Sequence, residues 1–321
     1  MKPSDYGMSE GWMDINDLLA IPDPIELVKG LLYQGDRVLA AGPEKVGKSM
    51  LVYQMATEMS KGMPVMGLYL PVRPLRVLVF QFEIGKPQFK KRIVRYHNAV
   101  ELNDNIFFKT DRRFRIDMPE QHLTLCDDVA KFHPDVIIFD PLYYMHSQDE
   151  NSNTLMTEVL RLIDNVQDAL PVDAQPAIVL IHHMSKPFRD LHGKTVAGGR
   201  SDIRGASVLV GWPDLVMEIR SLVEKISITA TYTDRNQEGT INKTTLEWQQ
   251  SGLPFKPKGE ILQLEPLIAL RFIDEKGGKV SQNALVEHLV SRGMSKSKAY
   301  RFIVELKEQT VIVGEKEITR P

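Results

Sequence analysis

The stretch AAGPEKVGKSMLVY, residues 40–53, decides the fold class. Residues 42–49 match the pattern GxxxxGK[ST] in full, which is typical of a phosphate-binding loop. The preceding run DRVLAA predicts a strand. The following run SMLVYQMATEMSKG has apolar residues at helical spacing and predicts a helix that ends at Gly62. Because a strand, a glycine loop and a helix form the context that this motif requires, the sequence predicts a nucleoside triphosphate site.

The loop residues suit phosphate binding for separate physical reasons. Glycines let backbone N–H groups face an anion, and the positive end of the following helix adds favourable potential. Lys48 is expected to neutralise β- and γ-phosphate oxygens, and Ser49 to ligate Mg²⁺. The expected ligand and cofactor are therefore ATP and Mg²⁺. The predicted nucleotide-binding residues are Gly42, Pro43, Glu44, Lys45, Val46, Gly47, Lys48, Ser49 and Met50.

Acidic residues at the ends of two further apolar runs complete the predicted reaction centre. Asp140 ends PDVIIFD and is the expected second Mg²⁺ ligand, since ligands collect at the carboxyl ends of parallel strands. Pro141 occupies the position where many P-loop ATPases carry the glutamate that activates water. Glu83, at the end of VLVFQFE, is therefore the candidate that orients the attacking water. The alternatives are that Asp140 only caps a helix and that Glu83 is only a solvated strand end.

Three apolar runs indicate the architecture. LRVLVFQFE, DVIIFD and PAIVLIHH read as strands buried on both faces, and helix-like charged segments separate them. The sequence thus predicts an α/β fold with a doubly wound, mostly parallel sheet. Two β-rich runs in KISITATYTDRNQEGTINKTTLEW predict a hairpin at the end of this body. The predicted units are an N-terminal arm (1–30), an ATPase domain (31–250), a linker (251–262) and a winged helix–turn–helix domain (263–321).

The last segment shows three helix-like stretches followed by VIVGEKEITR, the order of a winged helix. Lys296, Lys298 and Arg301 lie near the start of its third stretch, as in a recognition helix. Winged helices also bind proteins, and Glu305 and Glu308 weaken the electrostatic case for DNA. A primase or an initiator protein is therefore the alternative partner of this domain.

Composition excludes several classes of protein. With 43% hydrophobic and 26% charged residues the chain can bury a sizeable core, so extensive disorder is disfavoured. A net charge of −2 restricts any nucleic-acid contact to a local basic stripe or channel. The single cysteine, Cys126, cannot form an intramolecular disulfide. No signal peptide and no membrane-length apolar run is recognisable, so we expect a cytoplasmic protein without membrane contact.

Several motifs together resemble the RecA-like hexameric replicative helicases of the RepA and DnaB type and the AAA_25-like P-loop ATPases. VLVFQFEIGKPQFKKRI resembles the segment in which a strand ends in the catalytic glutamate and a helix with Gln and Arg follows. GGRSDIRGASVLVGWPDLVMEIR resembles the DnaB-type S-D-[LI]-R stretch, and AIVLIHHMSKP resembles the strand whose tip senses the γ-phosphate. The resemblance covers roughly residues 25 to 245.

This resemblance implies a RecA-like core in a homo-oligomeric ring, most simply a hexamer. It implies ATP-driven translocation on single-stranded DNA, as in the replicative helicase of a plasmid, phage or mobile element. By position, His183 would sense the γ-phosphate. Arg235, in TYTDRNQEG, would reach the neighbouring subunit's site, with Arg204 as second choice. Thr233 occupies the position where the DnaB-type segment has a lysine. Surface salt bridges are the alternative for both arginines.

The segment MSKPFRDLHGKTVAGGRSD, residues 184–202, is basic and rich in glycine. In a ring, six copies would line the bore as an electrostatic track for single-stranded DNA. An ordinary disordered surface loop is the other reading of this composition. The predicted DNA-binding residues are Lys186, Arg189, Lys194 and Arg200.

Two other functions remain open at this level. A RecA-like recombination or annealing ATPase would share the nucleotide site but form filaments on DNA. A regulatory protein would use ATP to switch the winged helix between partners without unwinding DNA.

Overall fold

A computed structural model describes residues 12–184, 188–189, 195–196, 207–222, 225–232, 242–257, 269, 272–273, 276, 279–291, 296–297, 299–301, 303 and 317–319. The α-helices are α1 Ile15–Leu19, α2 Lys48–Lys61, α3 Lys86–Val100, α4 Pro119–Phe132, α5 Asn153–Gln167, α6 Val208–Gly211 and α7 Gln282–Ser291. Two short 3₁₀ helices span Leu142–Tyr144 and Val172–Ala174. The first strands are β1 Glu26–Val28, β2 Leu32–Tyr33, β3 Arg37–Gly42, β4 Val77–Gln81, β5 Ile106–Thr110, β6 Val136–Asp140, β7 Ala177–His183, β8 Phe188–Arg189 and β9 Thr195–Val196. The later strands are β10 Leu215–Leu222, β11 Lys225–Tyr232, β12 Asn242–Trp248, β13 Phe255–Pro257, β14 Lys279–Ser281 and β15 Glu317–Thr319.

Within the described residues, nine strands form the central sheet in the order β13-β12-β11-β10-β3-β7-β6-β4-β5. The six strands from β10 to β5 in this order pair in parallel, and the pairs from β10 to β13 are antiparallel. The predicted parallel α/β core is therefore confirmed. The predicted hairpin is also present, because β11 pairs with β12 in antiparallel register.

The sheet separates two apolar cores, and strand periodicity explains why. Successive side chains of a strand point to opposite faces. On β6, Val136 and Ile138 therefore join the core that contains α2, whereas Ile137 and Phe139 join the core that contains α5. Because both faces are covered, all five residues of β6 are buried. This arrangement accounts for a continuous apolar run instead of an alternating one.

The sheet extends further along the chain than the sequence indicated. β13 lies inside the predicted linker, yet it pairs with β12 at the edge of the sheet. Gln54 on α2 holds this strand, since its side-chain amide donates to the Phe255 carbonyl and accepts from the Phe255 N–H, both at 2.8 Å. The Phe255 ring is buried and packs edge-on against Trp248. The prolines and glycines around β13 are typical of linkers, and such a local composition does not indicate these tertiary contacts.

The N-terminal arm has two parts with different packing. β1 and β2 form a small antiparallel pair, and residues 27, 28, 31 and 32 are buried in the main core. Helix α1 begins with a capping box between Asp14 and Asp17 but has no buried residue. Only the second part of the arm therefore packs on the body.

The C-terminal segment is described in part. Within the described residues, β14 pairs with β15 and directly precedes α7. Apolar side chains from this segment form a separate small core. β14 is a strand that sequence analysis did not predict, and the winged helix stays a prediction. None of the described helices is both long and apolar enough to cross a membrane.

Glu58, inside α2, predicts a pH-dependent stability. The carboxyl is fully buried and accepts from Gln54 Nε2 at 2.8 Å and from the Met66 N–H at 2.7 Å. Burial raises the pKa of Glu58 from 4.5 to about 8, so the folded chain keeps a proton that the unfolded chain releases. The contribution of Glu58 to stability is complete below pH 4.5 and is lost as the pH rises to about 8.

We therefore expect Glu58→Gln to flatten the decline in stability over this interval. The free energy of unfolding of the variant, relative to that of the parent, should improve by roughly 4 kcal/mol between pH 5 and pH 8.5. Urea titrations at both pH values measure this difference. Glu120→Gln, which changes an exposed side chain, is the control. Parallel pH profiles for Glu58→Gln and the parent would contradict the assignment.

Candidate nucleotide-binding and catalytic site

The phosphate-binding loop connects the end of β3 at Gly42 to the start of α2 at Lys48. Gly47 immediately precedes α2 with φ = 100°, a left-handed conformation that strongly favours glycine. No side chain caps α2, so the N–H groups of its first turn face the loop and are suited to an anion. The local fold thus forms a cradle for phosphate oxygens.

Gly42 is required for a second reason, which the sequence did not reveal. A Cβ atom at this position would lie 2.3 Å from the carbonyl oxygen of Ile219 on β10. β10 pairs with β3 at this end of the sheet. The glycine therefore permits close backbone packing beneath the loop.

Lys48 is held back against its own loop. Its side chain is only 6% exposed, and Nζ donates to the carbonyls of Gly42 and Pro43, both at 2.8 Å. Burial lowers the pKa of Lys48 to about 8, against the opposing effect of nearby carboxylates, of which Asp140 has the largest influence. A phosphate at this site would replace the carbonyls as partner and favour the charged lysine.

Ser49 and Asp140 meet across the gap between α2 and β6. Ser49 Oγ donates to Asp140 Oδ1 at 3.0 Å, and the Tyr53 hydroxyl donates to Asp140 Oδ2. Asp140 is 2% exposed, and burial raises its pKa to about 6. A hydroxyl and a carboxylate are oxygen ligands of the kind that Mg²⁺ prefers, and a nucleotide supplies further oxygens. The residues present therefore fit a magnesium–nucleotide site.

The described residues contain no cluster of three or more His, Cys, Asp or Glu side chains that could hold a metal ion.

One cleft of about 420 Å³ brings nine of the predicted site residues together. Glu83 reaches it from beyond β4, which ends at Gln81, two residues earlier than the apolar run suggested. The Phe82 N–H donates to the Asp140 carbonyl at 2.9 Å and so fixes Glu83 beside β6. The lining residues are Glu44, Lys45, Gly47, Lys48, Ser49, Met50, Glu83, Arg92, Asp140, Pro141, Tyr143, Tyr144, Ile181 and His183.

The two histidines at the end of β7 have different environments. His183 pairs in register with Gly42, and its Nδ1 lies 3.2 Å from Lys48 Nζ. His182 is fully buried, with Nδ1 3.8 Å from a carboxylate oxygen of the buried Glu150. The parallel pairing of β3 with β7 therefore brings His183, and not His182, to the phosphate loop.

Two residues near the reaction centre were missed by sequence analysis. Tyr53 follows Ser49 by one helical turn, so the i, i+4 spacing on α2 was an available signal. Arg92 lies on α3 and lines the cleft. Burial raises the pKa of Asp140, and the positive charge of Arg92 offsets part of that rise. Only tertiary packing shows that Arg92 faces the cleft, because α3 carries many basic residues.

Several predicted site residues cannot be placed. Lys186, Lys194, Arg200, Arg204 and Arg235 lie outside the described residues. For Arg189 only the backbone is described, in β8, which pairs with β9. Their roles in DNA binding and in the neighbouring site remain predictions.

A phosphate loop between the first parallel strand and its helix, with an aspartate on β6, defines the class of P-loop nucleoside triphosphatases with a RecA-like core. Residues 8–188, more than half of the chain, match the AAA_25 family, described as an AAA domain. The chain belongs to this family. No curated protein matches the sequence.

Solved structures that are similar to this chain include a replicative helicase and a recombinase. The first is a DnaB-like replicative helicase, described with its interactions with primase, at a TM-score of 0.52 and 13% identity. The match covers 69% of this chain and 58% of that chain, so it spans little more than half of the helicase. The RadB recombinase matches at a TM-score of 0.45 and 15% identity, over 70% of this chain and 92% of that chain. At 13% identity, the likeness to the helicase shows the fold alone.

The packing of Gly42 generates a prediction. Gly42→Ala should lower the free energy of unfolding by roughly 1–3 kcal/mol and weaken nucleotide binding, because the new methyl group collides with the Ile219 carbonyl. Gly211→Ala is the control, since nothing lies within 4 Å of its added Cβ. Thermal melts and titrations with a fluorescent ATP analogue measure both effects. Equal behaviour of the two variants would show that β10 does not constrain the loop.

Proposed function

We propose that this protein is an ATP-dependent, ring-forming helicase that translocates on single-stranded DNA, as the replicative helicase of a plasmid, phage or mobile element. The cleft that joins Lys48, Ser49, Asp140 and Glu83 carries the proposal. The acidic group that can act on water comes from a different strand than the metal-binding aspartate, and this division is the one expected when Pro141 follows Asp140.

The proposed chemistry assigns one task to each residue. Lys48 neutralises charge on the β- and γ-phosphates, while Ser49 and Asp140 hold Mg²⁺. Bound Mg²⁺ would stabilise the charge that develops on the phosphate oxygens. Glu83 orients the attacking water as its base.

His183 supplies the proposed link from chemistry to motion. It lies 3.2 Å from Lys48 Nζ, so a phosphate that draws Lys48 away from the loop carbonyls changes the contact at the end of β7. The chain passes from β7 into the basic segment of residues 184–202. The state of the γ-phosphate is thereby transmitted to the proposed DNA track.

The ring completes the proposal. Arg235, or Arg204 in second place, would enter the neighbouring subunit's cleft and stabilise transition-state charge. In a hexamer the basic segments would line a central channel, and the C-terminal domain would bind DNA, a primase or an initiator protein.

Glu83→Gln tests the assigned base. We expect turnover to fall by roughly 10²- to 10⁴-fold while Mg²⁺-dependent nucleotide binding is retained, since the amide keeps the shape but cannot take the proton. Phosphate release assays and binding of a fluorescent ATP analogue measure the two quantities. Glu158→Gln, on the exposed side of α5, is the control. Near-normal turnover of Glu83→Gln would remove this residue from the mechanism.

Mixing two inactive variants tests the shared site. Lys48→Ala lacks the phosphate lysine of its own cleft, and Arg235→Ala lacks the arginine that it would give to a neighbour. In mixed rings at equal amounts, about a quarter of the interfaces would be intact, so DNA-stimulated hydrolysis should recover to that extent. No recovery of hydrolysis on mixing would argue against Arg235 acting in the neighbouring subunit's site.

Electron micrographs of the parent with ATP and single-stranded DNA should show closed rings, and open filaments would favour a recombination ATPase.

A further inference from the structure

Two adjacent tyrosines stand at the mouth of the cleft with their rings exposed. Tyr143 and Tyr144 are 47% and 38% exposed, and their ring centroids lie 5.0 Å apart with planes at 83°. Leu142 and Met145, on either side of them, are completely buried in the core that contains α5. The short helix is thus anchored by its ends, and neither aromatic ring contributes to the core.

The loop that carries Arg112 and Arg113 lies beside the short helix that carries Tyr143 and Tyr144. Arg112 and Arg113 are exposed, in the turn between β5 and α4. Arg115 joins the two loops, because its Nη1 donates to the Tyr144 carbonyl at 3.0 Å and to the Arg112 carbonyl at 3.2 Å. We call Arg112, Arg113, Tyr143 and Tyr144 together the tyrosine–arginine surface.

Hydrogen bonds hold the two loops in a fixed relation. The Ile116 N–H donates to the Met145 carbonyl at 2.6 Å. Asp117 accepts from the Ser147 N–H at 3.1 Å and from Gln148 Nε2 at 2.9 Å. Although burial raises the pKa of Asp117, its hydrogen bonds from Ser147 and Gln148 outweigh burial and lower that pKa. The carboxylate is therefore ionised at neutral pH, and the surface is preorganised.

The charge of this surface is available to a ligand. Among the described residues, no carboxylate forms a salt bridge with Arg112 or Arg113. The neighbouring Asp111 accepts from the Arg113 backbone N–H at 2.9 Å, and Glu83 faces the cleft. Two exposed guanidinium groups and two exposed rings on neighbouring loops match the chemistry of a strand that has both phosphates and unpaired bases.

We propose that the tyrosine–arginine surface binds single-stranded nucleic acid, with bases stacked on Tyr143 and Tyr144 and backbone phosphates bound by Arg112 and Arg113. This inference rests on the proposed function and places a strand contact outside the basic segment of residues 184–202. Base pairs in a duplex hide the faces that stacking requires, so the surface selects single strands.

The position of this surface connects strand binding with the reaction centre. Tyr143 follows the metal-binding Asp140 by three residues, and the intervening Leu142 is fully buried. The rings therefore line the same cleft as Lys48, Asp140 and Glu83. A strand seated on the rings abuts the residues that act on the γ-phosphate.

The experiment compares four double variants of the full chain in binding to a fluorescein-labelled 20-nucleotide oligothymidylate. Tyr143→Ala with Tyr144→Ala removes the rings, and Tyr143→Phe with Tyr144→Phe keeps them. Arg112→Ala with Arg113→Ala removes the charges, and Lys90→Ala with Lys91→Ala removes two exposed charges from α3 as a matched control. Fluorescence anisotropy over a range of salt concentrations gives each affinity, with oligouridylate and a 20-base-pair duplex measured beside it.

We expect the double alanine variant of the tyrosines to bind oligothymidylate about 10- to 100-fold more weakly with an unchanged salt dependence. The phenylalanine pair should bind like the parent. The double variant Arg112→Ala with Arg113→Ala should show a slope of log affinity against log salt that is smaller by about 1.4. Its affinity for a fluorescent ATP analogue should stay unchanged. If the alanine variants of the tyrosines and arginines also lose affinity for oligouridylate, the ligand includes RNA. If they lose affinity only for oligothymidylate, the ligand is DNA.

Several results would overturn the inference. If the parent binds the oligonucleotide and all four variants bind equally well, the surface is not a strand site, although the proposed function stands. If the parent binds no single strand at all, the proposed function fails with it. Loss of ATP-analogue affinity in the tyrosine variants without loss of DNA affinity would assign the rings to the nucleotide base. A change only in the mass of the assembly would assign the surface to contacts between copies of this chain.

Discussion

The carboxylate of Asp140 is the point on which the site depends. It accepts hydrogen bonds from Ser49 and Tyr53 on α2, and so joins the helix of the phosphate loop to β6. Ser49 and Asp140 are 91 positions apart in the sequence. An aspartate without such donors would be costly at 2% exposure. Even with them its pKa is raised to about 6, so the site holds a carboxylate that benefits from a cation. The same contact holds together the two residues that are proposed to bind Mg²⁺.

The parallel sheet explains why the reactive groups meet at one edge. β3, β7, β6 and β4 lie side by side and run in the same direction, so the residues at their ends become neighbours. Gly42, His183, Asp140 and Glu83 come from four segments that are far apart in sequence. The apolar bodies of these strands fill two cores, and polar groups are confined to the ends. Chemistry is thus concentrated where the core stops, as expected for open α/β sheets.

The hydrogen-bonded contact of Gln54 with Phe255 shows how local patterns can mislead. Residues 251–257 have the composition of a linker, but they end in a strand that packs beside the phosphate loop, with Phe255 next to Gly47. The end of β4 at Gln81 is a smaller example, because the apolar run continues into Phe82 after the sheet pairing has ended. In both cases the deciding partner lies far away in the sequence. Periodicity and propensity contain no information about such a partner.

The sequence by itself determined the phosphate loop, the parallel α/β core and the positions of Lys48, Ser49, Asp140 and Glu83, because these depend on short-range spacing and on continuous apolar runs. Only the tertiary structure decided that Tyr53 binds Asp140, that Arg92 faces the cleft and that the loop of Arg112 and Arg113 meets the short helix of Tyr143 and Tyr144. The i, i+4 spacing places Tyr53 on the same face of α2 as Ser49 but does not show which strand that face meets. An arginine in a helix or loop carries no local signal of the direction in which it points. That direction follows from how neighbouring strands are ordered and how their loops are bonded to one another, which the folded chain alone sets.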